Sequence, residues 1–167
     1  LGYPGGPAIE REAATGDPAR YRFPRPMLHG GQRPGDADYL DLSMSGLKTA
    51  LIHAVRAAAD LDAERPHLAR GFQDAVLDVL VAKTLRAVGA TGRSRVVLSG
   101  GVACNQALRA ALAAALAERG ATLHTPSPRL ATDNAAMIAR AGLFRAAEAG
   151  RPVDAAARLP FPGLERR

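Results

Sequence analysis

The stretch Arg95-Val-Val-Leu-Ser-Gly-Gly-Val-Ala-Cys-Asn-Gln-Ala-Leu-Arg109 constrains this chain more than any other. Val96, Val97 and Leu98 make the short apolar run that a buried strand requires. Ser99, Gly100 and Gly101 interrupt it, and a helical pattern follows. The expected order is strand, glycine turn, helix. Adjacent glycines admit backbone conformations closed to other residues and let a ligand approach without meeting a Cβ, while the helix beyond presents free N–H groups to an anion. The stretch reads either as a nucleotide-binding turn or as a tight strand-to-helix connection.

The rest of the chain bears on that choice. At 167 residues and 47% hydrophobic content there is material for one domain with a core. No run of about eighteen apolar residues predicts a membrane span, and no basic-then-apolar amino terminus predicts secretion, so the expected location is cytoplasmic. The single cysteine, Cys104, excludes an internal disulfide and a cysteine zinc cage. The chain opens on Leu1 and reads as a piece of something longer. Its net charge is +6. Lys48 and Lys83 are the only lysines, so the charge is carried by arginine, whose rigid fork of donors suits phosphate and nucleic acid. A codon bias toward arginine and alanine accounts for the same composition.

In chain order, Leu1 to Pro7 is a Pro/Gly turn, and Ala8 to Ala14 is a short helix ending at Gly16. Asp17 to Asp41 is a long loop, since Pro24 and Pro26 exclude helix around Phe23. Its interleaved Tyr21, Arg22, Phe23 and Arg25 either pack over the core or suit a strand of RNA. Ser43 or Ser45 is expected to cap a helix with Leu47, Ala50, Leu51, Ala54, Val55 and Ala58 on one face. A second helix is expected after Pro66, with Leu68, Phe72, Ala75, Val76, Val79 and Leu80 facing inward and Gly89 and Gly92 at its end. Beyond the glycine turn, Leu108, Leu112, Ala115 and Leu116 stripe a helix that Gly120 stops. Ala121 to Thr125 reads as a strand, and a last helix starts near Thr132 with Met137, Ala141 and Phe144 on one face. Strand, helix, strand, helix implies parallel pairing.

Ligands of such sheets bind beyond the carboxyl ends of the strands, where Gly100, Gly101 and Asn105 lie at one end and Asp133 at another. Asn105 and Asp133 are also ordinary helix-start residues. Cys104 reads as a small buried side chain, and His53 and His67 as solvent-facing or structural histidines rather than ligands.

The segments Gly2-Tyr-Pro-Gly-Gly-Pro7, Phe23-Pro-Arg-Pro-Met27, Asp41-Leu-Ser-Met-Ser-Gly-Leu-Lys-Thr49, Phe72-Gln73, Ser99-Gly-Gly-Val-Ala-Cys-Asn105 and Thr132-Asp-Asn-Ala-Ala-Met137 resemble, in the same order, the tRNA adenosine threonylcarbamoyltransferase family, the TsaD group. The resemblance runs to about Arg145. It implies an α/β fold, the mostly helical carboxyl-terminal part of an actin-like ATPase (ASKHA, ribonuclease H-like) architecture, with this chain as its carboxyl-terminal half. Residues 1–150 would belong to that domain and 151–167 to a tail.

The implied reaction moves threonylcarbamoyl from threonylcarbamoyl-adenylate to the exocyclic amine of the adenosine beside the anticodon, in tRNAs reading codons that begin with A. The resemblance makes Gly6 and Asn105 adenylate-binding, beside Gly100 and Gly101 of the glycine turn as candidate substrate-binding residues, and Asp133 a ligand of one divalent metal ion, iron or zinc. The implied partners are tRNA and, in bacteria, TsaB and TsaE. Other metal ligands in the family come from a His-x-x-x-His pair, a spacing absent from His29, His53, His67 and His124. Those ligands, a first phosphate loop and several strands are expected upstream, so the chain alone is expected to be inactive and to expose a sheet edge. Cys104, Met44 and Gly71 depart from the family's usual residues without touching a named role. Two alternatives share the fold: a carbamoyltransferase of the hydrogenase-maturation type, and a non-catalytic assembly partner.

Overall fold

One long helix, α3 (Leu61–Thr91), carries the packing in the computed structural model, which describes residues 1–28 and 30–146. Its start is set by Asp60, whose carboxylate accepts from the N–H groups of Asp62 and Ala63, both at 3.1 Å, and Asp62 and Glu64 add negative charge in the first turn. The helix therefore begins before Pro66, not after it. Proline forfeits one intrahelical bond, and a cap with two bonds nucleates the turn ahead of it. Gly92 closes the helix in the left-handed conformation, φ 65°, its N–H donating to Val88 O at 2.9 Å, while Gly89 stays inside.

Two of the helices that pack on α3 precede it in the chain. The first, α1 (Gly5–Ala13), takes its glycine pair as its own first turn, ahead of the start expected at Ala8, and buries Ala8 and Ala13. The second, α2 (Ser45–Ala57), buries Leu47 completely against Phe23, Leu68 and Ala75, with Ala50, Leu51, Ala54, Phe72 and Val76 around them. Neither Ser43 nor Ser45 caps α2, whose cap position is Met44 with no side-chain bond.

The loop between α1 and α2 is tied down at several of its described residues. Phe23 stacks on Tyr21 at 6.2 Å between centroids and meets the edge of Phe72 at 6.4 Å, so the aromatic pair takes the core role. Arg20 pairs with Glu64, which also accepts from the Tyr21 hydroxyl at 2.9 Å, and Arg25 pairs with Asp78 at 2.7 Å. Farther along, buried Lys83 donates to the carbonyls of Asp38 (3.1 Å) and Tyr39 (2.8 Å), and burial pulls its pKa below the ordinary lysine value. Arg86 donates to Gln32 Oε1 at 2.6 Å and lies 4.9 Å over the Tyr39 ring.

Two short strands, β1 (Arg95–Val97) and β2 (Thr122–His124), pair in parallel with Arg95 opposite Thr122 and Val97 opposite His124. The connection between them is α4 (Gln106–Ala117), which buries Leu108, Leu112 and Leu116 and is followed by Gly120 at φ 65°. The result is α/β, mostly helical with a small parallel sheet. The single helix expected near Thr132 is instead two, α5 (Pro128–Ala131) and α6 (Ala135–Phe144). Asn134 caps the latter, its Oδ1 accepting from Met137 N–H at 3.0 Å, so Asp133 precedes the cap and is not in a helical first turn. Met137, Ala141 and Phe144 do share one face of α6, at a spacing of four and three residues, and no residue of that helix is buried among the described residues. Residues 1–133 make one compact unit, and α6 belongs to a second that begins at Asn134. The expected boundary at 151, and the tail 151–167, lie outside the described residues. No described helix is long and apolar enough to cross a membrane.

Candidate substrate-binding site

Between α1, α3 and the approach to α4 lies a cavity of about 400 Å³. Gly6, Ile9 and Glu10 line it from α1, Phe72, Gln73, Val76, Leu77 and Leu80 from α3, and Gly101, Val102, Cys104, Asn105 and Leu108 from the third side. The structure thus brings together Gly6, Gly101 and Asn105, whose positions in the sequence are far apart. Gly100 and Asp133 are not among the lining residues. A cavity of about 510 Å³ around Pro34, Tyr39, Arg86 and Arg119 gathers none of these positions.

The local chain explains the third wall. After β1 the backbone reaches Gly100 at φ 89° and ψ 174°, a region that only glycine occupies without strain. A 3₁₀ turn, Gly101–Cys104, follows where the sequence pattern predicted direct entry into α-helix. Its first bond runs from Ala103 N–H to Gly100 O at 3.0 Å, so the N–H groups of Gly101 and Val102 precede the ladder. In α1, Gly5 and Gly6 likewise fall in the first turn, where backbone N–H groups have no intrahelical acceptor.

The amino end of α4 is not open, contrary to the sequence expectation. Glu10 Oε1 accepts from Gln106 N–H at 2.6 Å and Ala107 N–H at 3.3 Å, and Asn105 Oδ1 accepts from Leu108 N–H at 2.7 Å. The anion that this helix attracts is supplied by α1 itself. Glu10 was not singled out by sequence reasoning. The available signal was its place four residues after Gly6, one turn along the same face of a helix. Gln73, in the Phe72-Gln73 pair, carries no role that its sequence position announces. Its Oε1 accepts from Asn105 Nδ2 at 3.1 Å.

The glycines differ in what demands them. A Cβ built at Gly6 or Gly101 meets no atom within 4 Å, and neither residue has a positive φ. Protein packing therefore does not require glycine at either position, whereas the close approach of something else would.

Asp133 is exposed in the link between α5 and α6. Among the described residues no group of three or more His, Cys, Asp or Glu could hold a metal ion. One carboxylate falls short of the roughly four donors that zinc takes, so these residues do not by themselves fit a divalent ion. His53 is exposed on α2, His124 lies in β2, and His67 Nδ1 accepts from Asp17 N–H at 3.0 Å, a structural role. His29 lies outside the described residues. Cys104 is half-buried, its Sγ 3.9 Å from Pro128 O.

Comparison with known proteins places this site in context. A family model described as tRNA N6-adenosine threonylcarbamoyltransferase (TsaD) matches residues 1–140. A protein of that name from Gemmatimonas aurantiaca is 54% identical over 174 aligned positions, covering 98% of this chain and 49% of the relative. Its counterpart in Burkholderia cenocepacia is 51% identical over 152 positions, 87% of this chain and 42% of the relative. That of Burkholderia thailandensis is 48% identical over 154 positions, 88% and 42% respectively. The chain spans about half the length of the curated relatives it matches. A match that takes in all three walls of the cavity, at about half identity to these relatives, means that the chain belongs to the tRNA N6-adenosine threonylcarbamoyltransferase (TsaD) family.

Proposed function

We propose that the chain carries the adenylate-binding part of a tRNA threonylcarbamoyltransferase. The observation that carries this reading is the cavity where Gly6 and Gly101 converge, each a glycine that no protein contact requires. In the reaction the exocyclic amine of the tRNA adenosine attacks the carbamoyl carbon of threonylcarbamoyl-adenylate. The C–O bond of the mixed anhydride breaks, AMP leaves with that oxygen, and the amine gives up one proton. The chain's own residues bind and orient. Gly6 and Gly101 let the adenylate come against the backbone, where early-turn N–H groups meet the phosphate. Gly100 sets the turn, and Asn105 offers an amide beside the apolar wall of Phe72, Val76 and Leu80, which suits a purine ring. Holding donor and acceptor in register supplies the rate advantage.

The arginine-carried charge of +6 supports tRNA as the second substrate. The same reading carries the actin-like fold, cytoplasmic location and the TsaB and TsaE partners. It also makes Asp133 a ligand of iron or zinc, an ion that the described residues do not fit by themselves.

Titration calorimetry with AMP on the protein at its full encoded length tests the reading. Gly6→Val and Asn105→Ala should each weaken AMP about tenfold, and a Cβ at Gly6 meets no atom within 4 Å, so the first carbon of the new side chain has room. Mass spectrometry of nucleosides from tRNA incubated with threonylcarbamoyl-adenylate should show threonylcarbamoyladenosine. Absence of AMP binding, or binding indifferent to both substitutions, refutes it.

A further inference from the structure

We infer that Gln73 is a positioning residue that fixes which way the Asn105 amide faces the cavity. The inference rests on the reading of Asn105 as a ligand-holding residue, and its argument is one of donors and acceptors. Leu108 N–H can only donate, so the Asn105 atom facing it at 2.7 Å is Oδ1. Nδ2 is thereby turned toward α3, where it meets Gln73 at 3.1 Å. Because Nδ2 can only donate, Gln73 must present Oε1, and its own NH₂ points the other way. Each amide has one orientation that satisfies its neighbours.

The consequence reaches the ligand. With one hydrogen on Gln73, Nδ2 keeps one hydrogen for the cavity, and Gln73 Nε2 donates to no group among the described residues. Gln73 and Asn105 both line the cavity, so this corner of a largely apolar space, which Glu10 also lines, offers N–H donors and selects an acceptor on the ligand, such as a ring nitrogen or a hydroxyl oxygen. Without the Gln73 acceptor the cap bond still keeps Oδ1 on Leu108, but nothing holds the rotation of the amide about that bond, and Nδ2 loses its fixed aim. α3, which carries Gln73, thus sets the chemistry of a residue on the glycine turn 32 positions later.

The test uses adenosine, a neutral probe, with Gln73→Met, Gln73→Glu and Asn105→Ala in the protein at its full encoded length. Gln73→Met keeps volume and removes the acceptor. It should weaken adenosine binding about tenfold and speed hydrogen exchange at the Leu108 amide about fivefold, the scale of a weakened cap. Gln73→Glu keeps an acceptor oxygen and should restore both toward wild type, and in an Asn105→Ala background Gln73→Met should have no further effect on adenosine. A role in bulk packing would weaken the Met and Glu variants alike and would persist without Asn105, and either result overturns the inference. Asn105→Ala at reduced affinity with Gln73→Met at wild-type affinity overturns the inference alone. Asn105→Ala at wild-type affinity overturns the reading beneath it.

Discussion

Removing the Glu10 carboxylate tests the least expected contact in the fold. Its Oε1 accepts two backbone N–H groups at the amino end of α4, at 2.6 and 3.3 Å, joining residues 96 and 97 positions apart. A hydrogen bond to a charged group contributes about 1.5–3 kcal/mol, and a negative charge at a helix start about 0.3–1 kcal/mol. The first bond is partly open to solvent and the second is long, so the lower halves of these ranges apply. Glu10→Ala should therefore cost about 2 kcal/mol, and Glu10→Gln, which keeps an acceptor but not the charge, about 1 kcal/mol. In urea unfolding the midpoint should fall with the slope unchanged, and the Ala deficit should shrink in about 1 M salt as the helix-end charge is screened. Asn105→Ala should combine with Glu10→Ala non-additively, because both residues serve the same end of α4. A Glu10→Ala protein within about 0.5 kcal/mol of wild type, its α4 intact, would mean that the carboxylate is solvated and that the amino end of α4 is open after all.

Leu47 is completely buried in the main cluster, so Leu47→Ala should cost about 2–5 kcal/mol in denaturant unfolding; a loss under about 1 kcal/mol would place the core elsewhere. A Cβ at Gly16 would lie 2.1 Å from Pro66 O and 2.5 Å from Arg70 Cβ, so Gly16→Ala should destabilise by at least about 1–3 kcal/mol, and a neutral result would deny the close approach of this turn to α3. The hydrogen bonds from Arg20, then Tyr21, hold the Glu64 carboxyl at a pKa of about 2 against the opposing effect of burial. Because the folded value lies below the unfolded one, the stability this provides is complete above the ordinary carboxylate pKa and is lost as pH falls toward about 2. Wild type should lose its advantage over Glu64→Gln across that interval, and parallel acid curves for the two would contradict the ion pair.

The parts legible in the sequence are those whose cause is local. Val96 to Gly101 announces a strand and a glycine turn, and Gly100 indeed sits at φ 89°. The parallel pairing of β1 with β2 follows from alternation with a helix. Leu47, Leu68 and Ala75 fall in the core because helical spacing put them on inward faces. Element starts were less legible. Glycines at Gly5 and Gly6 suggest a turn, yet they open α1. Pro66 suggests a beginning, yet the cap at Asp60 outweighs it.

Gly6, Gly101 and Asn105 could each be singled out from the sequence, by motif and by turn chemistry, because backbone freedom and side-chain type are properties of single positions. Their meeting around one cavity is a property of the packing of α1 against α3. Whether an N–H group is available to a ligand is likewise decided in three dimensions. The sequence announces the helix α4 but neither the 3₁₀ turn before it, nor that Glu10 occupies that helix's leading amides, nor that Gln73 holds the amide of Asn105. Propensity acts over a few neighbouring residues. Hydrogen-bond satisfaction is settled by whichever group the fold brings within about 3 Å.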